Sequence, residues 1–344
     1  MIFCFLFDSI IGKFKTSKVK HFSIIPKTVI MPENQPNKCM EKNLSLVITG
    51  GSGFIGKHLT SFLLDAGYKV SHLSRNSNTS GKVRVFSWDP AKREIDSKVF
   101  EGTDIIIHLA GTNIGEKRWT GTRKEEIIES RVDSAIFLHN AVVENRIPLK
   151  AFISASATGI YGSLTSSKIF NENDPPATDF LGSVCRQWEE AADLFNNSGI
   201  RTVKIRTGVV LEKNDSALAK LMMPGKFGFL IQAGSGLQYM PWIHINDLCG
   251  IYLKAIEDIR IKGSYNAVAP QQITYSDFMK TLARVMKIWK VVIPIPAFII
   301  RTVLGEMSDV ILKGSRVSSE KILNSGYTFL YAKLEKALCN IIGG

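Results

Sequence analysis

Four hydroxyl-bearing residues lie close together in residues 154–162, which read SASATGIYG: Ser154, Ser156, Thr158 and Tyr161. Hydroxyl groups at the end of a buried strand can hydrogen-bond a substrate oxygen, and a tyrosine among them can give or take a proton there. An ordinary strand end followed by a turn explains the same residues. If the chemical interpretation holds, Ser156 and Tyr161 are the catalytic candidates, and something must make the tyrosine sufficiently acidic.

A second pattern, TGGSGFIG, follows the short apolar run LSLVI and opens a segment with helical periodicity. Its G-x-x-G-x-x-G spacing allows a tight turn and a close approach of backbone N–H groups to a pyrophosphate. The N-terminus of the following helix adds partial positive charge. A glycine-rich turn without a ligand is the alternative, but the strand and helix context favours a dinucleotide held by Gly50, Gly53, Phe54, Ile55 and Gly56.

The end of the second predicted strand bears on which dinucleotide binds. A carboxylate at this place holds the ribose 2′-hydroxyl of NAD, whereas this sequence has Arg75. An arginine suits a 2′-phosphate, so NADP is favoured over NAD; a solvated loop arginine is the alternative. Further along, HLAG ends another apolar strand, and its small residues would let the backbone of Leu109, Ala110 and Gly111 pass close to the cofactor.

The elements that must position these residues alternate from Leu44 onward. Short apolar runs predict buried strands, and periodic apolar residues predict helices over 54–66, 122–145 and 181–198. The stretch RTVKIRTGVVL predicts one continuous strand. Strands alternating with helices indicate an α/β fold with a Rossmann-type, doubly wound parallel sheet.

The rhythm loosens after about residue 212, where glycines and short apolar pieces predict a smaller C-terminal α/β lobe. We therefore expect a dinucleotide-binding domain over 44–212, to which strands from 240–270 return, and a substrate lobe over 213–344 that includes a C-terminal domain of about 290–342. A Pro-interrupted apolar stretch at 291–312 is better explained as an amphipathic helix over a core than as a membrane span.

Composition narrows the classes of protein. The 344 residues are 45% hydrophobic and 22% charged, with a formal charge of +12. Residues 1–43 contribute seven lysines against three acids and predict a leader or disordered extension, with an organelle transit segment as one alternative. The remaining basic residues are not clustered, so nucleic-acid binding is not expected. The five cysteines form no C-x-x-C pair, which argues against a zinc site or a disulfide framework. We expect a protein of the cytoplasm or an organelle matrix.

These motifs, together with NIGEKRWTGTRKEEIIESRVDS (113–134), QWEEAA (187–192), PWIHINDL (241–248), YNAVAP (265–270) and GSRV (314–317), resemble the extended short-chain dehydrogenase/reductase superfamily. Within it the chain is most similar to the atypical NAD(P)-dependent epimerase-like family, the 39U type, over about residues 44–342. The resemblance implies an NADP-bound Rossmann domain, a C-terminal domain of unknown function and a homodimer paired through long helices. It also implies that Arg206, Gly208 and Val209 lie beside the nicotinamide.

Ordinary members of the superfamily use a Tyr at the substrate oxygen and a Lys four residues later, which lowers the Tyr pKa and holds the ribose. None of the eight tyrosines here has a Lys four residues later. Counting back from Glu189 in the usual helix, the two positions fall at Leu181 and Cys185. The ordinary pair is therefore missing.

Three interpretations stay open. Tyr161 could substitute, assisted by Ser156, in an NADP-dependent oxidoreductase or epimerase for an unknown small carbonyl or sugar-like substrate. A different acid or base could act, and the candidates are Asp174, Asp179, His244 and Asp247. In the third, the protein binds NADP without turnover and acts as a regulatory or scaffold protein. The resemblance links this interpretation to cell or organelle division.

Overall fold

The computed structural model describes residues 44–75, 83–214, 216–288 and 292–343; the expected leader, 1–43, lies outside them. The strands are β1 (Ser45–Thr49), β2 (Lys69–Ser74), β3 (Arg84–Asp89), β4 (Glu94–Ile95), β5 (Ile105–His108), β6 (Ala151–Ala157), β7 (Ile169–Phe170), β8 (Arg201–Thr207), β9 (Val209–Leu211), β10 (Leu230–Ala233), β11 (Trp242–His244), β12 (Gly263–Ala267), β13 (Val292–Ile295) and β14 (Arg316–Val317).

The α-helices alternate with these strands. They are α1 (Phe54–Asp65), α2 (Gly121–Glu129), α3 (Val132–Glu144), α4 (Phe180–Asn197), α5 (Ala217–Met222), α6 (Ile245–Glu257), α7 (Tyr275–Val285), α8 (Ala297–Leu304), α9 (Asp309–Leu312), α10 (Glu320–Asn324) and α11 (Leu334–Gly343). No helix among the described residues is long and apolar enough to cross a membrane.

The central sheet has the strand order β12-β8-β6-β5-β1-β2-β3-β4, and only the β3–β4 pair is antiparallel. The chain runs outward from β1 to β3 on one side and then returns to β5 on the other. The strand order therefore reverses between β1 and β5, and ligands of such sheets bind at this point, beyond the carboxyl ends of the strands. The predicted α/β Rossmann-type fold is confirmed.

Helices cover both faces of the sheet, which explains why its strands read as continuous apolar runs. Ile48, Ile107 and Ile153 alternate with residues of the opposite face and pack in one cluster with side chains of α1 and α6. The other face packs against α3 and α4, where the Phe152 and Phe195 rings stack at 3.6 Å. Burial of each such side chain stabilises the fold by roughly 1.5–3 kcal/mol. The loops at the carboxyl ends of the strands are therefore attached to a well-packed sheet.

The predicted helix over 122–145 is wrong as a single element, because α2 ends at Glu129 and α3 begins at Val132. Ser130 caps α2, and its hydroxyl accepts a hydrogen bond from the amide of Thr112. Arg131 also turns toward this loop, since its Nη2 donates to the carbonyl of Thr112 at 2.8 Å. At the break, hydrogen bonds between the side chains of Ser130 and Arg131 and the loop at Thr112 stabilise the chain in place of backbone hydrogen bonds of a continuous helix.

The expected single strand RTVKIRTGVVL is likewise divided. β8 belongs to the central sheet, whereas β9 pairs with β11 outside it. The change of partner occurs at Gly208, where an added Cβ would lie 2.6 Å from the carbonyl oxygen of Pro241. Val209 then donates its amide to that same oxygen at 2.7 Å.

The later part of the chain builds a second hydrophobic cluster. Trp242, Phe278 and Leu338 are buried in it, and β10 pairs with β13 at its side. The strand β12 returns to the edge of the central sheet beside β8. The domain boundaries proposed from the sequence stay a prediction.

Candidate functional site

The glycine-rich turn after β1 lies at the point where the strand order reverses. Gly50 has a positive φ of 69°, and a Cβ there would lie 2.9 Å from the backbone C and O atoms of Leu109, just past β5. A Cβ on Gly56 would collide with the carbonyl oxygen of Gly50. These two glycines therefore permit α1 to begin close against the ends of β1 and β5.

The N-terminus of α1 is open toward solvent. Its N-cap residue, Gly53, is exposed and has no side chain to accept hydrogen bonds, and the first turn contains no acidic residue. The amide of Gly53 itself donates to Gly50 at 2.9 Å, which fixes the turn. An uncapped helix end with aligned N–H groups, here from Phe54 and Ile55, is a site for an anion such as a pyrophosphate. The predicted phosphate residues thus fit a dinucleotide.

Arg75 lies directly after β2, on the side of the turn away from β5, and its side chain is exposed. Behind it, His72 packs under the glycine turn, where its Nε2 pairs with the Thr60 hydroxyl at 2.8 Å. Burial lowers the pKa of His72, so this ring is neutral at neutral pH. The exposed Arg75 is therefore the predicted partner of an anionic group beyond β2.

Leu109, Ala110 and Gly111 leave β5 on the opposite side of the turn. The amides of Leu109 and Ala110 both donate to the Thr49 hydroxyl at 3.2 Å, and this hydroxyl also pairs with His108 at 2.9 Å. Gly111 is exposed, and a Cβ there would lie 3.0 Å from the Cζ of Arg131. The predicted close approach of this backbone to the cofactor stays a prediction.

The hydroxyl cluster after β6 is mostly occupied by contacts within the protein. Ser156 is 3% exposed and donates to Glu189 Oε1 at 2.7 Å, and Tyr161 is 2% exposed and donates to Asn266 Oδ1 at 2.7 Å. Ser154 donates to the carbonyl of Ala155. Thr158 is partly exposed at the end of the strand. The catalytic assignment of Ser156 and Tyr161 stays a prediction, and both would have to exchange partners to reach a substrate.

A buried ion pair organises this corner. Arg206 is 6% and Glu189 7% exposed, and the guanidinium bonds the carboxylate twice, at 2.8 and 2.9 Å. Burial alone would raise the pKa of Glu189, but hydrogen bonds from Arg206 and Ser156 hold it below the ordinary value. Burial conversely would lower the pKa of Arg206, and Glu189 raises it. Both groups are therefore charged at neutral pH.

Arg206 also donates to the phenol oxygen of Tyr161 at 3.0 Å. Burial raises the pKa of Tyr161 to about 12, although the charge and hydrogen bond of Arg206 act in the opposite direction. The phenol is thus a weak acid in this environment, without the activation that proton transfer near neutral pH requires. Arg206 is a residue of β8, and its guanidinium bonds the Glu189 and Tyr161 side chains and the Glu172 carbonyl. Its predicted contact with the cofactor stays a prediction.

Gly208 and Val209 also use their amides within the protein. Gly208 donates to Ala267 at 3.2 Å and Val209 to Pro241 at 2.7 Å. These bonds connect the sheet with the later part of the chain. The predicted contact of Gly208 and Val209 with nicotinamide stays a prediction.

The positions of the missing Tyr–Lys pair face the same corner. A Cβ on Gly159, in the turn after β6, would lie 3.5 Å from Leu181 and from the Cys185 sulfur. Burial raises the pKa of Cys185 to about 12, so the thiol is neutral. The helix α4 therefore presents an alkyl group and a neutral thiol at the two positions to which the sequence assigned the missing Tyr–Lys pair.

The other acid–base candidates support local structure. Asp179 caps α4 through Gly182 at 2.8 Å, and Asp174 pairs with Lys168 at 2.6 Å. His244 caps α6 with Nδ1, and burial lowers its pKa to about 4. Asp247 is buried and accepts bonds from three groups that follow α10. All four therefore have structural roles, and their assignment as acid or base stays a prediction.

Comparison with known proteins places the chain in a family. The profile of the NAD dependent epimerase/dehydratase family matches residues 46–183, and that of a domain of unknown function (DUF1731) matches residues 295–341. The epimerase family protein YfhF of Bacillus subtilis (strain 168) is 34% identical over 302 residues, 87% of this chain and 98% of that protein. This chain belongs to the epimerase family. The human epimerase family protein SDR39U1 is 33% identical over 304 residues, 87% of this chain and all of its own length.

Solved structures agree with this membership. The crystal structure of human SDR39U1 (isoform 2) with NADPH has a TM-score of 0.78 and 30% identity, covering 88% of this chain and 100% of that chain. The nucleoside-diphosphate sugar epimerase of Corynebacterium glutamicum has a TM-score of 0.70 and 32% identity, covering 88% of this chain and 58% of that one. The predicted resemblance to an atypical epimerase-like family is confirmed.

Proposed function

We propose that this protein is an NADP-dependent oxidoreductase or epimerase that acts on a small carbonyl or sugar-like substrate. The observation that carries the proposal is the open N-terminus of α1 at the strand-order reversal, with the exposed Arg75 beside it. The NADPH in the structure of human SDR39U1 supports the same cofactor. A homodimer and a location in the cytoplasm or an organelle matrix stay predictions.

A bound nicotinamide would supply or accept hydride. The protein's part is to bind and orient: the first turn of α1 holds the pyrophosphate, and Arg75 holds the 2′-phosphate. Thr158, which is partly exposed just after β6, would donate its hydroxyl to a substrate oxygen. In this arrangement the buried Glu189–Arg206 pair fixes the corner from behind.

A second candidate function is NADP binding without turnover. It is favoured by Leu181 and the neutral Cys185 at the positions of the Tyr–Lys pair, and by the raised pKa of Tyr161. Such a protein would change its conformation when the cofactor binds and would not convert a substrate. The two candidates share the cofactor site and differ in turnover.

The cofactor assignment is tested by titrating wild type and Arg75→Met with NADPH and NADH in a calorimeter. Loss of a charge-assisted contact to the 2′-phosphate predicts an NADPH affinity about tenfold or more lower, with NADH affinity unchanged. Lys69→Met is the matched control, because it removes an exposed charge at the other end of β2. An equal change for both ligands would refute the role of Arg75, and no NADPH binding by wild type would overturn the cofactor.

Turnover is tested with wild-type protein, NADPH and a panel of carbonyl compounds, followed at 340 nm (the NADPH absorbance). Tyr161→Phe and Thr158→Val are then compared. The enzyme proposal predicts turnover on part of the panel, and the catalytic prediction for Tyr161 requires that Tyr161→Phe abolish it at unchanged NADPH affinity. Tight NADPH binding without any turnover would favour the second candidate function. Turnover lost in Thr158→Val alone would transfer the substrate contact to Thr158.

A further inference from the structure

Arg131 lies at the break between α2 and α3, against the loop that follows β5. Its Nη2 donates to the Thr112 carbonyl at 2.8 Å, and its Nη1 donates to the Ile127 carbonyl at 3.1 Å and the Ser130 hydroxyl at 3.3 Å. The guanidinium also lies over the Trp188 ring of α4, 5.2 Å from its centroid. The side chain is therefore held in one position by α2, by α4 and by the loop that contains Thr112.

The charge of Arg131 is not balanced by a carboxylate. No ion pair joins it to Asp or Glu in residues 44–75, 83–214, 216–288 and 292–343, and its neighbours include Arg123 and the neutral Cys185. Burial lowers its pKa to about 10, which still leaves it a cation at neutral pH. A mostly buried cation without an anionic partner is costly, so its place at a ligand crevice indicates a ligand.

Its hydrogen-bonding capacity is also incomplete. A guanidinium has five N–H donors, and the three bonds to Ile127, Ser130 and Thr112 leave two of them. The guanidinium also lies against Gly111 in the loop after β5, where an added Cβ would be 3.0 Å from Cζ. Gly111 is exposed, and any side chain there would crowd the guanidinium.

The direction of the dinucleotide decides which part reaches Arg131. With the pyrophosphate at α1, the adenosine half lies over β2, where Arg75 stands, and the second half must extend over the ends of β5 and β6. Gly111 and Thr158 border that second half. We propose that Arg131 binds the nicotinamide half of NADP, donating its two remaining N–H groups to the hydroxyl oxygens of that ribose. This inference rests on the proposed cofactor.

Arg131 thereby supplies, from a helix break, a fixed positive charge beside the position where α4 has Cys185. An arginine keeps its proton, so it can bind the ribose and favour negative charge nearby but does not relay protons. Acid–base chemistry in this site then has to come from another group. In this proposal, Arg131 binds the cofactor and a different residue transfers protons.

The test compares two ligands by calorimetry: NADPH, and adenosine 2′,5′-bisphosphate, which contains only the adenosine half. Arg131→Met should lower the NADPH affinity about tenfold or more and leave the affinity for adenosine 2′,5′-bisphosphate unchanged. Arg131→Lys, which keeps the charge, should recover part of the loss. Arg186→Met is the matched control, because Arg186 is an exposed arginine of α4 next to Cys185, and it should bind both ligands like wild type.

Two results would overturn the proposal. An unchanged NADPH affinity in Arg131→Met would show that Arg131 makes no contact with the cofactor. An equal loss for both ligands, in Arg131→Met and in the milder Arg131→Lys, would show that Arg131 only shapes the loop. If wild type binds adenosine 2′,5′-bisphosphate but Arg131 variants fail to fold, Arg131→Gln repeats the comparison with a side chain that still donates to Thr112. Failure of wild type to bind NADPH would instead refute the proposed function.

Discussion

Replacing Arg206 by methionine tests the buried ion pair behind the hydroxyl cluster. Methionine has nearly the same length and no charge, so the variant leaves the Glu189 carboxylate buried with Ser156 and Ser264 as its remaining donors in the described part of the chain. It also removes a donor from Tyr161 and from the Glu172 carbonyl. Removing one partner of a buried ion pair costs about 3–5 kcal/mol of the free energy of unfolding.

The penalty should depend on pH. In wild type the folded-state pKa of Glu189 lies below its ordinary value of 4.5, so this stabilisation is complete above pH 4.5 and is lost as pH falls through the folded-state pKa. Without Arg206, the largest influence that opposes burial is gone, so the pKa of the Glu189 carboxyl rises. Arg206→Met should therefore be destabilised more at pH 8 than at pH 5.

The assay is urea unfolding at both pH values, followed by far-UV circular dichroism. Arg186→Met is the control, since the Arg186–Glu190 pair on the same helix is exposed and should contribute less than about 1 kcal/mol. The double variant Arg206→Met with Glu189→Leu should be closer to wild type than Arg206→Met alone, because no charge stays buried. A cost of Arg206→Met below about 1 kcal/mol, or one that is equal at pH 5 and pH 8, would refute this account of the pair.

Two further predictions concern the glycine turn and acid stability. Gly50→Ala and Gly102→Ala both place a Cβ on a residue with φ near 70°, which costs about 1–2 kcal/mol of stability, but only the Cβ at position 50 meets Leu109. The melting temperature should therefore fall further for Gly50→Ala than for Gly102→Ala. Calorimetry should show that NADPH affinity is lost in Gly50→Ala alone. His244→Asn keeps an oxygen acceptor that can cap α6 and removes a buried ring whose folded-state pKa of about 4 lies below the unfolded value of 6.5. Wild type loses stability on this account as pH falls from 6.5 to 4, by about 1.4 kcal/mol per pH unit, so the variant should show a flatter stability curve over that window; parallel curves would contradict the assignment.

Much of the fold follows from local patterns in the sequence. Apolar strands covered on both faces and periodic helices specify the doubly wound sheet, because each run can be buried in one way only. The helix break at Ser130–Arg131 was missed since the apolar spacing continues across it, and the bonds to Thr112 that replace helix continuity join distant parts of the chain. The division at Gly208 was missed for a similar reason: the acceptor is Pro241.

The sequence by itself determined the glycine turn at the start of α1, because Gly53 and Gly56 lie against the backbone of Gly50 within the same turn. It also determined that the Tyr–Lys pair is absent. Only the tertiary structure decided what Ser156 and Tyr161 contact, since their partners Glu189 and Asn266 are 33 and 105 residues away. The position of Arg131 is likewise a feature of the tertiary structure: the spacing of the sequence makes it a residue of one helix, whereas the break in that helix places its guanidinium against the Thr112 carbonyl and the Trp188 ring.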